Sequence, residues 1–250
     1  MTLYLVYRAP RDLKDRSLIP KRLRSLGCTP LRRSLWKVEE EQLSKVLKIL
    51  AENRPIILKR TREIRKPQMT KGEGIPELGS LVMVTYRLPK DVNREKVRRL
   101  LLRTPCIRLC RSVYAFPQDQ TRLDKDKRLV DAHRFSNLIQ EMGGNVRVVT
   151  RVVVANPRDA EYLLQETRER FRRRLLEIVK QCKNLYSLVY TEGSDPYYIQ
   201  KKLTELKKRY IALKNVAKFY EKWLGINLSK DLLKPYRAIK KVHHTISEKR

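Results

Sequence analysis

Basic side chains are the residues of this sequence best placed to do chemistry, because they are numerous and clustered. The chain has 58 Lys and Arg against 27 Asp and Glu, a formal net charge of +31 over 250 residues. Four clusters carry much of this excess. They are Lys21, Arg22 and Arg24; Arg60, Arg62, Arg65, Lys66 and Lys71; Arg168, Arg170, Arg172, Arg173 and Arg174; and Lys201, Lys202, Lys207, Lys208, Arg209 and Lys214, with Lys240 and Lys241 beyond them. Guanidinium groups bind phosphates through paired hydrogen bonds, so the clusters predict nucleic-acid contacts.

The positive charge is distributed over the whole chain rather than confined to one tail. Surface ion-pair networks are the alternative use of so many charges, but networks need both signs in similar numbers. A sequence-reading DNA protein usually presents one basic recognition helix, and no helix-turn-helix is evident. Charge on every part favours a large folded RNA, such as ribosomal RNA, over DNA. No apolar run is long enough to span a membrane, and we expect no membrane partner.

Cysteine and histidine residues do not form a metal-binding pattern. Cys106 and Cys110 lie in one apolar, strand-like run, and we interpret them, like Cys28 and Cys182, as small core residues. A structural zinc site needs four ligands, and no second pair lies nearby. No secretory signal opens the chain, so we expect a cytoplasmic protein whose reducing surroundings disfavour disulfides. We predict no metal, no cofactor and no catalytic residues.

The sequence contains an internal repeat, which predicts the elements that position the basic residues. The segment YRAPRD at 7–12 returns 79 positions later as YRLPKD at 86–91, and each copy follows an apolar run. The segment RSLW at 33–36 is matched at nearly the same offset by RSVY at 111–114. Self-similarity at a fixed spacing indicates two copies of one small fold.

Hydrophobic periodicity gives each copy the strand and helix order of a ferredoxin-like domain. The fold class is therefore predicted as α+β, with two tandem ferredoxin-like domains followed by a C-terminal antiparallel helical hairpin. Two long apolar helical stripes separated by Gly193-Ser194-Asp195-Pro196 predict the hairpin. The predicted parts are a first ferredoxin-like unit at 1–59, a flexible basic linker at 60–79, a second unit at 80–156, the hairpin at 157–225, and a short helix with a basic tail at 226–250.

Four strand aromatics, Tyr7, Trp36, Tyr86 and Tyr114, have two interpretations. They pack in the core or between the repeats, if the repeats form a pseudo-dimer sheet against sheet. Alternatively, they stack on bases, as in an RNA-recognition sheet. The expected basic-Gly-aromatic-Gly consensus is absent, so we favour packing. A pseudo-dimer within one chain also predicts a monomer.

Short motifs in both the repeats and the helical segment are similar to those of a known family. They are residues 6–12, Leu26-Gly27, 33–36, 114–117, 171–174, 206–210 and 218–220. In these motifs the chain resembles the chromate-resistance regulator ChrB, and its repeat resembles the N-terminal domain of that family. The resemblance implies a ferredoxin-like domain beside helices and a DNA-binding regulatory role, although the doubled unit departs from that pattern.

A more distant resemblance is to the CRISPR-associated ferredoxin-like nucleases, which place a metal-binding Asp at the end of the first strand. Arg8 and Arg87 stand at the matching positions of the two repeats. A guanidinium group is permanently cationic and cannot ligate a divalent metal. The resemblance therefore does not extend to metal-dependent cleavage.

These observations predict a non-catalytic RNA-binding protein that docks on large structured RNA. The most specific form of the prediction is a ribosome-associated factor that occludes a functional site or bridges subunits, as hibernation factors do. The alternative is a double-stranded DNA-binding regulator of ChrB type, and a metal-dependent nuclease ranks below both.

Overall fold

The computed structural model describes residues 2–8, 17–68, 77–118, 129–191 and 193–248. Residues 9–12 of the repeated motif and Lys71 of the linker lie outside these ranges. The first repeat contains β1 (Leu3–Val6), α1 (Ile19–Ser25), β2 (Thr29–Arg32), β3 (Leu35–Val38), α2 (Leu43–Ile49) and β4 (Ile56–Arg60). The second contains β5 (Leu81–Arg87), α3 (Arg94–Leu102), β6 (Ile107–Cys110), β7 (Val113–Pro117), α4 (Ala132–Glu141) and β8 (Asn145–Val154). Three helices follow: α5 (Pro157–Val189), α6 (Pro196–Leu224) and α7 (Ser229–Glu248).

The strands form one eight-stranded antiparallel sheet, so the fold is α+β as predicted. Their order is β2-β3-β1-β4-β8-β5-β7-β6. The last strands of the two repeats pair with each other, with Leu58 opposite Val154 and Arg60 opposite Val152. The repeats therefore join edge to edge in one sheet, and the expectation that they pack sheet against sheet is wrong. The edge of a sheet offers unpaired N–H and C=O groups, and the β4–β8 pairing satisfies one edge of each repeat within the chain.

The sheet is curved enough to bring distant strands together. Arg8 follows β1, which is third in the strand order, and its side chain donates hydrogen bonds to the carbonyl oxygens of Arg108 (3.0 Å) and Leu109 (3.1 Å) on the edge strand β6. The same guanidinium donates to the hydroxyl of Tyr162, at the start of α5 (3.1 Å). The Arg8 side chain therefore links the end of β1 to the edge strand β6 and to the start of α5.

The strand aromatics lie in the core. Tyr7 and Trp36 are 3% and 1% exposed and pack in one cluster with Leu23 of α1 and Val46 of α2. Tyr86 and Tyr114 are stacked, with ring centroids 6.1 Å apart, and both contact the ring of Phe135 on α4. The packing interpretation is confirmed, and the alternative of base-stacking aromatics on these strands is wrong, because buried rings offer no face to a base.

The chain divides into two compact units. The first holds the described parts of Met1–Asn93, Cys106–Lys125 and Asp131–Leu164, and therefore all eight strands. The second holds the described parts of Arg94–Pro105, Asp126–Val130 and Gln165–Arg250. It therefore contains α3, most of α5, and all of α6 and α7.

Contacts within the second unit fix the directions of its long helices. The ring of Phe171 on α5 meets Tyr220 near the end of α6, and Gln181 farther along α5 accepts a hydrogen bond from Arg209 of α6. These two helices are therefore antiparallel. Helix α6 begins where the sequence indicates: Asp195 accepts a hydrogen bond from the N–H of Tyr197 (2.8 Å), and Pro196 occupies the first turn. It ends at Gly225, in a left-handed conformation at φ 63°.

Helix α7 is longer than the short helix and basic tail expected for 226–250. It has 20 residues, and it continues through Pro235. Ile239, Val242 and Thr245 recur every three residues and are buried, whereas Lys240 and Lys241 between them are exposed. The high basic content hides this apolar spacing, which is why composition alone suggested a tail.

Candidate nucleic-acid interface

A cleft with a volume of about 630 Å³ opens in the first compact unit, where β4 meets β8. We call it the basic cleft, because five of its eight lining residues are basic and only one is acidic. Its lining residues are Thr2, Lys59, Arg60, Thr61, Arg62, Glu63, Arg65 and Arg151. The cleft thus brings together three members of the linker cluster predicted from the sequence. It adds Lys59 and Arg151, which the sequence reasoning missed.

A bulge in β8 puts Arg151 into the cleft. The β5–β8 register shifts between the pairs Leu81–Val152 and Met83–Val149, so β8 has one residue more than β5 there. Arg151 adopts a left-handed conformation with φ 57°. Its N–H donates to the side-chain oxygen of Gln118 (2.9 Å), and its guanidinium donates to the carbonyl oxygen of Arg62 (3.1 Å).

Backbone hydrogen bonds hold the linker residues that line the cleft. The N–H of Thr61 donates to the carbonyl oxygen of Arg151 (2.9 Å), and Arg65 and Ser80 are joined by two bonds of 2.8 Å. Gly79 has φ 69°, and a Cβ atom there would lie 2.6 Å from the nitrogen of Pro67, so only glycine fits. These hydrogen bonds hold the described parts of the linker in place, whereas the sequence predicted a flexible segment.

Among the residues that the structure describes, no ion pair neutralises the charges of the basic cleft. Within the described ranges, no carboxylate lies within ion-pairing distance of Lys59, Arg60, Arg62, Arg65 or Arg151, and Glu63 makes no ion pair either. Like charges gathered in one concave surface repel one another unless an anion binds among them. Phosphate oxygens can accept hydrogen bonds from several guanidinium groups at once, so they match the chemistry of this lining.

A second arginine group lies elsewhere in the first unit, and sequence reasoning missed it too. Burial lowers the pKa of Arg32, and the positive charges of Arg87 and Arg147 lower it further. The Nε atom of Arg32 is buried without a hydrogen-bond partner. These three residues come from β2, β5 and β8, which are far apart along the chain. The curved sheet brings them together, so the sequence alone does not show the group.

The N-terminal basic cluster is exposed on α1, where Lys21, Arg22 and Arg24 surround the buried Leu23. Lys66 is exposed on the linker but does not line the basic cleft. Lys71 lies outside the described residues.

Two arginines of the α5 cluster make contacts inside the second unit. Arg172 forms ion pairs with Asp231 of α7 (3.1 Å) and with Glu169 (3.3 Å), and the hydrogen bond to Asp231 raises the pKa of Arg172. Arg174 donates to the carbonyl oxygen of Leu101 on α3 (3.3 Å). These two arginines therefore have structural roles that the sequence does not reveal.

Two basic residues of α6 are ion-paired as well. Lys202 pairs with Glu205 (3.2 Å), and Arg209 pairs with Glu177 (3.7 Å). On α7, Lys240 and Lys241 lie over the rings of tyrosines 236 and 186. The other predicted residues of α5 and α6 occupy exposed or half-buried positions. They are Arg168, Arg170, Arg173, Lys201, Lys207, Lys208 and Lys214.

All four cysteines are buried thiols that form no disulfide, which confirms their interpretation as core residues. Burial raises the pKa of the Cys110 thiol to about 12 and that of the Cys182 thiol to about 11. In the described ranges, no three His, Cys, Asp or Glu side chains are grouped closely enough to hold a metal ion. None of the helices seen there combines the length and the apolar character that a membrane crossing requires. Comparison with protein-family models, with curated proteins and with solved structures finds no match to this chain.

Proposed function

We propose that each repeat is a ferredoxin-like domain. Both follow the order β-α-β-β-α-β along the chain, and their strand orders, β2-β3-β1-β4 and β6-β7-β5-β8, are equivalent. An antiparallel sheet with this split crossover is the arrangement of that fold. The pairing of β4 with β8 supports a monomer, since each repeat covers the sheet edge that a second chain would otherwise occupy.

We propose that the protein is a non-catalytic RNA-binding factor of the cytoplasm that docks on large structured RNA. The observation that carries this proposal is the basic cleft, in which five cationic side chains converge without an acidic partner among the described residues. Its most specific form is a ribosome-associated factor that occludes a functional site or bridges subunits. Cationic groups exposed on both compact units support contact with a large RNA, because each unit offers phosphate-binding side chains of its own.

The position of the cations favours phosphate contact over the reading of base edges. The cleft is built from strand ends and a linker, whereas a protein that reads duplex DNA usually inserts a helix into the major groove. Phosphate contacts position a protein on nucleic acid without selecting a sequence. A regulator of ChrB type would instead need side chains aimed at bases, and selective binding to one promoter sequence is the result that would favour it.

The proposal is tested with the variant Arg60→Gln/Arg62→Gln in the full chain. Its matched control is Lys45→Gln/Lys48→Gln, which removes two exposed charges from α2 away from the cleft. Charge-assisted hydrogen bonds contribute about 1.5–3 kcal/mol each. We therefore expect the cleft variant to bind structured ribosomal RNA at least tenfold more weakly, and the control to bind within about threefold of the parent. Fluorescence anisotropy at fixed salt measures both.

Sedimentation of cell lysate through a sucrose gradient tests the ribosomal form of the proposal. We expect the protein to move with ribosomal particles at low salt and to return to the top fractions after RNase treatment. Recovery only in the ribosome-free fractions would contradict ribosome association. Equal RNA affinity of the two variants would contradict the role of the cleft.

A further inference from the structure

One end of the second compact unit exposes several tyrosines. Helix α5 ends beside Tyr190, and α6 begins with Tyr197 and Tyr198. Their exposed fractions are 56%, 75% and 48%, whereas the strand tyrosines of the sheet are buried. Large aromatic side chains usually bury most of their surface, so three exposed rings flanking one short connection leave an unusually large aromatic area in contact with solvent. We call this region, together with Tyr186, the tyrosine end.

The local structure holds these rings at the surface. The cap formed by Asp195 places Tyr197 and Tyr198 in the first turn of α6, ahead of the buried stripe that starts at Ile199. Tyr186 in the last turn of α5 and Tyr190 just after the helix are four residues apart, so they lie on the same side. Their ring centroids are 5.2 Å apart in an edge-to-face arrangement, and their hydroxyl oxygens are 3.4 Å apart.

Cationic groups lie directly beside the rings. The Nζ atom of Lys241 on α7 is 4.4 Å from the ring centroid of Tyr186. The Nζ atom of Lys202 is 5.7 Å from the ring centroid of Tyr198. Aromatic faces next to cations are the combination by which proteins hold single-stranded nucleic acid, since the rings stack on bases while the cations contact the backbone.

We propose that the tyrosine end binds unpaired RNA bases by stacking. This inference rests on the proposed function and names the part of the RNA that the second unit recognises: single-stranded loops, bulges or ends, whose bases are free to leave the helical stack. An unpaired base offers an apolar face to Tyr190 or Tyr197, and the phosphates beside it offer negative charge to Lys241. A base-paired duplex offers phosphates only, because its base faces are covered.

The test compares three RNA probes of equal length on the full chain: a single strand, a duplex, and a single strand with abasic sites in its middle. The variant is Tyr190→Ala/Tyr197→Ala, and its matched control is Tyr190→Phe/Tyr197→Phe, which keeps both rings. Stacking on one base is worth a factor of about five to a hundred in affinity. We expect the alanine variant to lose at least fivefold for the normal single strand only, and the phenylalanine control to keep the parent affinity.

A fluorescent base analogue such as 2-aminopurine in the single strand gives an independent readout. Its emission is expected to fall on binding to the parent and to the phenylalanine control, and to stay unchanged with the alanine variant. Equal affinity of the parent for the normal and abasic strands would overturn the stacking inference while leaving RNA binding through the basic cleft intact. Failure of the parent to bind any RNA probe would overturn the proposed function itself. Loss of affinity for all three probes alike in the alanine variant would also count against stacking.

Discussion

Arg151 combines two unfavourable features, a strained backbone and an unpaired charge. A positive φ is costly for any residue with a side chain, and such strain persists only where surrounding contacts impose it. Here the bulge in β8 and the hydrogen bonds to Gln118 and from Thr61 impose it. Within the described residues, the Arg151 guanidinium gains little stabilisation, since it donates one hydrogen bond, to the exposed linker carbonyl of Arg62. A bound phosphate would give the Arg151 guanidinium a negatively charged hydrogen-bond acceptor.

Substitutions of Arg151 distinguish its effect on the stability of the protein from its effect on RNA binding. Arg151→Gly removes the charge but suits the left-handed backbone, so we expect a free energy of unfolding within about 1 kcal/mol of the parent. The same variant should bind structured RNA about tenfold more weakly, because one charge-assisted contact is lost. Arg151→Lys, which keeps the charge in the strained position, should lose less affinity than the glycine variant. Urea unfolding and anisotropy check these outcomes, and an unchanged affinity of the glycine variant would exclude Arg151 from the interface.

The buried thiols make stability depend on alkaline pH. Burial raises the pKa of Cys110 and Cys182 to about 12 and about 11, from an ordinary value of 9.0. Above pH 9 the unfolded chain loses these protons while the folded chain retains them, so the free energy of unfolding falls as pH rises from 9 towards 11. The variant Cys182→Ala should show a smaller fall over this range in urea unfolding.

Thiol labelling checks the same burial directly. At pH 8 we expect a thiol reagent to leave Cys110 and Cys182 unmodified in the folded protein and to label them rapidly in urea. Rapid labelling of either residue without urea would contradict the burial on which the pH prediction depends.

At the level of elements, local signals in the sequence predicted most helices and strands. The bounds of α6 follow from Asp195, Pro196 and Gly225, because capping residues act on their immediate neighbours. The β4–β8 pairing was not predictable in this way. It joins residues such as Lys59 and Val153, which are far apart along the chain, and neither strand carries a local mark of its partner.

The same distinction explains which part of the basic cleft was predicted. Arg60, Arg62 and Arg65 are close in sequence, so their clustering was visible before the fold was known. Arg151 enters the cleft only through the β4–β8 pairing and a bulge. Its left-handed conformation favours glycine or asparagine, so an arginine there gives no sequence signal. Lys59 is a half-buried strand residue, and nothing in the sequence distinguishes it from other lysines on strands.

Packing of α7 is the element-level feature that corrects the expected tail, and it is open to a direct test. Ile239 is 6% exposed, whereas Leu233 on the same helix is 51% exposed. We expect Ile239→Ala to lower the free energy of unfolding by about 2–4 kcal/mol, because it leaves a cavity. The control Leu233→Ala should lower it by less than about 0.5 kcal/mol. Urea unfolding followed by far-ultraviolet circular dichroism compares them, and equal costs would mean that α7 does not pack as described.

For the whole molecule, the net charge of +31 links stability to binding. Among the residues that the structure describes, Arg172, Lys202 and Arg209 form ion pairs, whereas the basic residues of the cleft form none. Self-repulsion of uncompensated cations disfavours the compact state, and under the proposed function RNA phosphates would relieve it. On that proposal, the surplus charge lowers the stability of the free protein and adds to its affinity for RNA.

Salt should consequently act in opposite directions on folding and on RNA binding. Added monovalent salt screens the repulsion among the cations, so we expect the melting temperature of the free protein to rise with ionic strength. The same salt should weaken RNA binding steeply, and a chain that contacts about six phosphates would show a log–log slope of roughly −4 to −5. The Arg60→Gln/Arg62→Gln variant should flatten that slope by about 1.5 and also melt at a higher temperature than the parent at low salt. Thermal scans and anisotropy titrations across one salt series measure both quantities. A melting temperature that falls with salt would mean that ion pairs, rather than unpaired cations, dominate the electrostatics of the folded chain.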